Sequence, residues 1–169
     1  MKIFEANIPH QVADFFNKKL SRTTTLLTAN QKMFDATGIK HFFDCEEEFE
    51  TLKEIICSIE NIVEEPDRAE YGDFQTNSDL ATKVAKFLKQ GSSNPKIIVE
   101  PTCGKGNFIV ACLSTFKRIE KIFGVEIYKP YVWETKFNIL QFFIDNPDTR
   151  KPEIEINHFN VFDFDFSKI

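Results

Sequence analysis

The stretch that most constrains the fold is Lys96 to Phe108, reading K-I-I-V-E-P-T-C-G-K-G-N-F. Ile97, Ile98 and Val99 form a short β-branched run, the composition of a buried parallel strand. Glu100 stands where that strand would end. Gly104 and Gly106 carry no Cβ, so the turn they form lets backbone approach a ligand closely. From Phe108 an apolar helical pattern runs through Ile109, Ala111, Cys112 and Phe116. Strand, glycine turn and helix in this order place a ligand at the carboxyl end of the strand and the amino end of the helix.

The flanking sequence supplies the same alternation. Residues 1–70 read as a helical segment, with Val12, Phe15, Phe16 and Leu20 on one face. A second helix is expected over Gln31 to Thr37, with Gly38 as its stop. A third is expected to follow Asp44 as N-cap, with Phe49, Leu52, Ile56, Ile59 and Val63 as its apolar stripe. Glu46, Glu47 and Glu48 crowd its first turn, where the helix dipole favours negative charge, and read as a solvated face. Glu64-Glu65-Pro66-Asp67 is a charged break, which puts a domain boundary near residue 70 and leaves 71–169 as a second unit. That unit opens with a polar loop, Tyr71 to Asn77. A helix from Ser78 to Lys89 follows, with Leu80, Val84, Phe87 and Leu88 on one face. After the glycine turn and its helix, Lys121 to Ile127 reads as a second buried strand, with Glu126 at its end. Pro130 opens a further helix carrying Val132, Ile139, Leu140 and Phe143. Glu153 to Asn157 reads as a third strand, and Phe162, Phe164 and Phe166 beyond it read as core or interface packing. Strands separated by helices imply a parallel sheet with right-handed crossovers. The expected fold is α/β: about three parallel strands with helices, half of a doubly wound domain, preceded by a helical segment.

Composition excludes several classes. The chain has 169 residues, is 42% hydrophobic and has 19 phenylalanines, enough for a sizeable core. Met1 to Glu70 holds 8 basic and 14 acidic residues; the remainder holds 13 and 12. Neither part offers the basic footprint of a nucleic-acid surface. Cys45, Cys57, Cys103 and Cys112 show no C-x-x-C spacing, and His10, His41 and His158 are scattered, so zinc is not expected. The start lacks a secretory hydrophobic core and no apolar run is long enough to span a bilayer. A reducing cytoplasm and no membrane partner are expected.

The acid at the second strand narrows the ligand. Glu126 lies 20 residues after Gly106, where a carboxylate can accept hydrogen bonds from both ribose hydroxyls of an adenosine cofactor. A dinucleotide fingerprint would need a third glycine where Ile109 stands, and a phosphate loop would need Gly-Lys-Ser or Gly-Lys-Thr. A neutral glycine turn after an acidic strand end suits S-adenosylmethionine, whose ammonium needs acceptors. Cys103 reads as a small loop residue, since no base lies near it in sequence, and His158 as a strand residue.

Val99-Glu100-Pro101-Thr102-Cys103-Gly104-Lys105-Gly106-Asn107-Phe108 resembles the glycine-loop motif of the amino-group (adenine-specific) DNA methyltransferases of restriction–modification systems. Gly72-Asp73-Phe74-Gln75-Thr76 resembles the family's motif ahead of the first strand. Phe123-Gly124-Val125-Glu126-Ile127 resembles its ribose-binding strand end, and Phe159-Asn160-Val161-Phe162 falls at its adenine-binding segment. The resemblance covers about residues 71–166 and implies a partial Rossmann-like methyltransferase fold. It implies that Thr76 binds the methionine carboxylate with Gln75 nearby, and that Glu100 orients the cofactor's amino end. It implies backbone contacts from Thr102, Cys103 and Gly104, a helix turn admitted by Gly106, the ribose on Glu126, the adenine packed on Ile127, and Asn160 accepting from the adenine amine. Asn77 departs from the usual proline and Asn160 from the usual aspartate; an amide oxygen still accepts, without charge.

The family's catalytic Asn- or Asp-Pro-Pro-aromatic motif, which grips a flipped base, has no counterpart, because the sequence contains no Pro-Pro pair. The chain is therefore expected to be the amino-terminal, cofactor-binding part of such an enzyme and inactive alone, with DNA as the partner of the absent part. The alternative is a non-catalytic module that completes its sheet with another protein chain, since unpaired strand edges recruit strands. A dehydrogenase or a small-molecule methyltransferase fits the motifs less well.

Overall fold

The computed structural model describes residues 8–57 and 75–168. Ile59 and Val63, the charged break Glu64 to Asp67, the boundary near residue 70 and the Tyr71 to Phe74 part of the polar loop lie outside the described residues. Three helices come first: α1 (His10–Leu20), α2 (Leu26–Thr37) and α3 (Glu46–Cys57). The order then runs α4 (Ser78–Gln90), β1 (Ile97–Glu100), α5 (Asn107–Thr115), β2 (Lys121–Glu126), α6 (Lys129–Asp145) and β3 (Glu153–His158), with a 3-10 turn at Phe166–Lys168. The three strands form one parallel sheet in the order β1-β2-β3, as the alternation of strands and helices implied. Ile98 pairs with Ile122, and Ile122 with Ile154, so these three side chains share the face covered by α5 and α6. On the same face a Cβ added at Gly124 would lie 3.2 Å from Ile109 and Cys103, which is how closely α5 approaches β2.

The helical segment is built onto this sheet. Ile39 bridges to Ile154: the Ile154 N–H donates to the Gly38 carbonyl at 2.8 Å and the Lys40 N–H to the Ile154 carbonyl at 3.0 Å. The outer edge of β3 is thereby paired by the chain's own backbone. Gly38 makes the approach possible; its φ is +79° and a Cβ there would run into the Pro152 carbonyl. The same glycine ends α2, its N–H donating to the Phe34 carbonyl at 2.7 Å. At the centre of the shared core, Trp133 of α6 lies 5.9 Å from the rings of both Phe42 and Phe43 and 5.7 Å from Phe137.

Five local expectations are corrected. Helix α2 begins at Leu26 rather than Gln31, because Thr25 caps it by accepting from the Thr28 N–H. Asp44 is not the N-cap of α3, which starts at Glu46; its carboxylate pairs instead with Lys129 at 2.7 Å. Glu48 is not solvated: it is buried, accepts from the Asp44 N–H at 2.7 Å and pairs with Lys129 at 2.7 Å. The largest correction concerns β1 and α4. Ile97 and Val99 are 49% and 41% exposed, and Leu80, Val84, Phe87 and Leu88 are exposed as well. Helix α4 packs on α5 and buries Ala81 and Ala85 instead. The physical reason is that β1 is the edge strand, and no described strand lies beyond it. Phe162, expected in core or interface packing, likewise stands in solvent, in a turn. No helix among the described residues is long and apolar enough to cross a membrane.

Candidate functional site

At the carboxyl ends of β1 and β2 lies a cavity of about 590 Å³. Its centre is the loop from Pro101 to Gly106, held by bonds from three directions. Along the sheet, the Cys103 N–H donates to the Val125 carbonyl at 2.9 Å. From the end of β2, Glu126 accepts through one oxygen from the Gly104 N–H and through the other from the Tyr128 N–H, each at 2.8 Å. From α6, the Thr135 hydroxyl donates to the Gly104 carbonyl at 2.7 Å and the Asn138 amide to the Lys105 carbonyl at 2.8 Å. Gly106 has φ of +81°, and a Cβ there would lie 2.9 Å from Thr135. The loop is thus a fixed turn, with α6 pressed against its back.

The segment ahead of α4 closes the opposite side. The Gln75 side-chain oxygen accepts from the Lys105 N–H at 3.0 Å, and the Asn107 amide donates to the Thr76 carbonyl at 2.7 Å. These two bonds stitch residues 31 and 30 positions apart in sequence across the mouth of the glycine loop. Asn77 then caps α4 by accepting from the Asp79 N–H at 2.8 Å. An asparagine here does what a proline could not, since it supplies a side-chain acceptor at the helix start.

Nine of the ten expected site residues line one cavity: Gln75 and Thr76 ahead of α4, Glu100, Thr102, Cys103 and Gly104 after β1, Glu126 and Ile127 after β2, and Asn160 after β3. Gly106 does not line it but opens α5 behind the loop. Asn160 uses its side-chain oxygen to accept from the Phe162 N–H at 3.1 Å, which turns the chain back towards the cavity. Tyr131, Phe108 and Phe159 also line it, and Thr135 supports it; Phe108 and Phe159 stand within the quoted motifs without a role of their own, and Tyr131 and Thr135 were not singled out from sequence. Phe159 stood next to Asn160 and was findable. Tyr131 and Thr135 lie in an apolar helix, and nothing in their spacing marks them.

Burial sets the chemistry of the loop. Burial raises the pKa of Glu100, and only a hydrogen bond from the Thr102 backbone opposes it. Burial, reinforced by the nearby Glu126 carboxylate, pushes the Cys103 thiol up to about 12. Cys103 is therefore a thiol at neutral pH and no nucleophile. His158 ends β3, with its ring nitrogen 3.0 Å from the Ile127 carbonyl. Two carboxylates, Glu100 and Glu126, thus stand at adjacent strand ends beside the cavity, and no lysine among the described residues lines it. Such a lining accepts hydrogen bonds and positive charge and is poorly suited to a pyrophosphate.

No family model matches the chain. No solved structure matches it. Among curated proteins, the type II methyltransferase M.NspV from Nostoc sp. is 54% identical to it over 72 residues. The match takes in 43% of this chain and 15% of M.NspV, so the chain spans only a small part of the relative's length. Over that stretch the chain is similar to a type II methyltransferase, in agreement with the restriction–modification family that its motifs resemble.

Proposed function

We propose that the chain binds S-adenosylmethionine in this cavity, as the cofactor-binding part of an adenine-specific DNA methyltransferase. The observation that carries the reading is the pair of acidic strand ends around a neutral glycine turn. Glu126 keeps lone pairs beyond its two backbone bonds and would accept from the ribose hydroxyls. Glu100, whose burial leaves its charge under-compensated, would meet the cofactor's ammonium. Thr76, with Gln75 beside it, would take the methionine carboxylate. Backbone of Thr102, Cys103 and Gly104 would contact the methionine portion, while Ile127 and Phe159 would pack on the adenine and Asn160 accept from its amine. The relation to M.NspV favours a methyl-group cofactor over a dinucleotide. When bound, S-adenosylmethionine supplies the electrophilic methyl group; the chain's own residues bind and orient it.

Transfer to DNA is proposed of the whole enzyme, not of these residues. They contain no Pro-Pro-aromatic motif to grip a target base, and no strongly basic surface for a duplex. A second reading, a non-catalytic module that completes its sheet with another chain, is favoured by the edge of β1, which no other strand pairs among the described residues. Titration calorimetry of the chain with S-adenosylmethionine and with NAD tests the cofactor assignment. Saturable binding of S-adenosylmethionine with weaker or absent NAD binding is expected. Tighter binding of NAD would overturn it.

A further inference from the structure

A lysine stands in the middle of the glycine loop, yet it does not line the cavity. Lys105 follows Gly104, which lines it, and precedes Gly106 behind the loop. Tyr131, Glu134, Thr135 and Asn138 of α6 meet this part of the loop. Their i, i+3, i+4, i+7 pattern puts them on one face of the helix. Thr135 and Asn138 hold the Gly104 and Lys105 carbonyls. Glu134 takes the Lys105 side chain: its carboxylate lies 3.2 Å from the ammonium, and Glu134 is itself buried. The same ammonium stands 5.6 Å from the centre of the Tyr131 ring, whose face attracts a cation. Two further carboxylates lie on the other side of the loop. Glu126 accepts from the N–H of Gly104, the residue before Lys105, and Glu100 stands at the adjacent strand end. A lysine stem is flexible, and removing one partner of a buried pair leaves the other charge in need of a counter-ion. Released from Glu134, the Lys105 ammonium would turn to these carboxylates. There it would neutralise the acidic strand ends, repel an incoming ammonium and offer a cation to phosphate.

We propose that Glu134 sets the ligand specificity of the cavity as a positioning residue. By holding the Lys105 ammonium behind the glycine loop, it keeps the cavity acidic. The cavity then favours an ammonium-bearing cofactor over a pyrophosphate-bearing one. The inference rests on the proposed function and deepens it by naming what excludes the competing class of ligand. Selectivity arises here by denying a contact to the wrong ligand, not by adding one to the right ligand. Glu134 does not line the cavity and acts through Lys105.

The test is titration calorimetry of the full 169-residue chain with S-adenosylmethionine, NAD and inorganic pyrophosphate. Glu134→Gln keeps the shape of the side chain and removes its charge. It is expected to weaken S-adenosylmethionine binding by about threefold to tenfold and to strengthen binding of NAD and pyrophosphate by a similar factor. Adding Lys105→Met removes the released cation and is expected to return both affinities towards wild type. A purely structural role for the pair would weaken all three ligands together, and the second substitution would not relieve it. Circular dichroism checks that each variant stays folded. Should Glu134→Gln unfold, Glu134→Asp, one methylene shorter, loosens the pair and is expected to shift the preference in the same direction by less. Three outcomes would overturn the proposal. The first is an unchanged preference between S-adenosylmethionine and pyrophosphate in the folded Glu134 variant. The second is an altered preference that Lys105→Met does not reverse. The third is a large loss of S-adenosylmethionine binding in Lys105→Met alone, which would put the ammonium in the cavity already. The two readings fail separately. Wild-type binding of S-adenosylmethionine with no change of preference on Glu134→Gln sinks only the specificity proposal. A wild-type chain that binds no S-adenosylmethionine, but gains Lys105-dependent pyrophosphate binding on Glu134→Gln, sinks only the cofactor assignment.

Discussion

Glu126 fixes the glycine loop from the end of β2 through Gly104 and, in the proposed reading, also holds the ribose. Glu126→Ala is expected to weaken S-adenosylmethionine binding by about 1.5–3 kcal/mol, the scale of hydrogen bonds to a charged group. An unchanged affinity in calorimetry would remove Glu126 from the ribose. Glu100 gives a pH signature. Burial holds its pKa above the ordinary 4.5, and an ammonium beside it would draw that pKa down. Binding would then favour the ionised carboxylate. Affinity should be full above the raised pKa and fall as pH drops through it, and Glu100→Gln should flatten that profile. A wild-type affinity with no pH dependence in this range would show that the ammonium lies elsewhere. Gly106 answers a different question, whether the loop needs its left-handed turn. Gly106→Ala must adopt φ of +81° with its methyl 2.9 Å from Thr135. A loss of about 1–2 kcal/mol for the backbone alone is expected in urea denaturation. The two glycines and Glu126 were legible in sequence because a strand end and a tight turn dictate residue type. Thr135 and Tyr131 were not, because their roles depend on how α6 is rotated against the loop.

At the scale of elements, the helical segment is fastened to α6 by one buried lysine. Lys136 donates to the His41 and Phe42 carbonyls at 3.1 and 2.8 Å, lies 3.8 Å from Asp44, and sits 4.9 Å over the Trp133 ring. Burial lowers its pKa to about 8, although Asp44 and Glu48 oppose the shift. Lys136→Met keeps the length but strands two carbonyls, and should cost about 2–4 kcal/mol in urea denaturation. The sign of the pH dependence follows from the depressed value. Between about 8 and the ordinary 10.5 the unfolded chain holds the proton that the folded chain has lost, so this group's contribution rises with pH across that window. The wild-type chain should therefore gain stability relative to Lys136→Met from pH 8 to 10.5; a constant difference would mean that Lys136 stays charged. In sequence Lys136 is one of several polar residues on a long helix, and the carbonyls from residues 94 and 95 positions away give it its role. Helix α4 misleads in the opposite sense. Its 3.6-residue periodicity correctly marks an apolar face at Leu80, Val84, Phe87 and Leu88, but periodicity cannot tell a face buried in the chain from one left exposed. The helix touches α5 through Ala81 and Ala85, whose small side chains allow close approach and carry little pattern signal.

Across the whole molecule, the strand–helix alternation was enough to give the parallel sheet, because each crossover must be a helix of limited length. What it could not give was the relation of the helical segment to that sheet. Ile39 pairing with Ile154, Lys40 meeting Glu153 and Glu155 at 2.9 Å, and Phe42 and Phe43 packing on Trp133 join positions at least 90 residues apart, and no local pattern encodes them. One apolar cluster runs from Val12 and Phe16 through Phe43 and Trp133 to Ile154. Residues from both sides of the expected boundary near 70 share it, so the two should unfold together. Trp133 is the single tryptophan and lies at the seam, which makes it a direct reporter. Its fluorescence should shift in the same urea range as the far-ultraviolet circular dichroism of the helices, with one midpoint. Phe43→Ala, which opens the seam on the helical side, should lower both midpoints together by about 3–5 kcal/mol of stability. If the fluorescence midpoint fell while the circular dichroism kept a second, later transition, the helical segment would be a separately folding unit. The shared core would then be a docking interface between two folded parts.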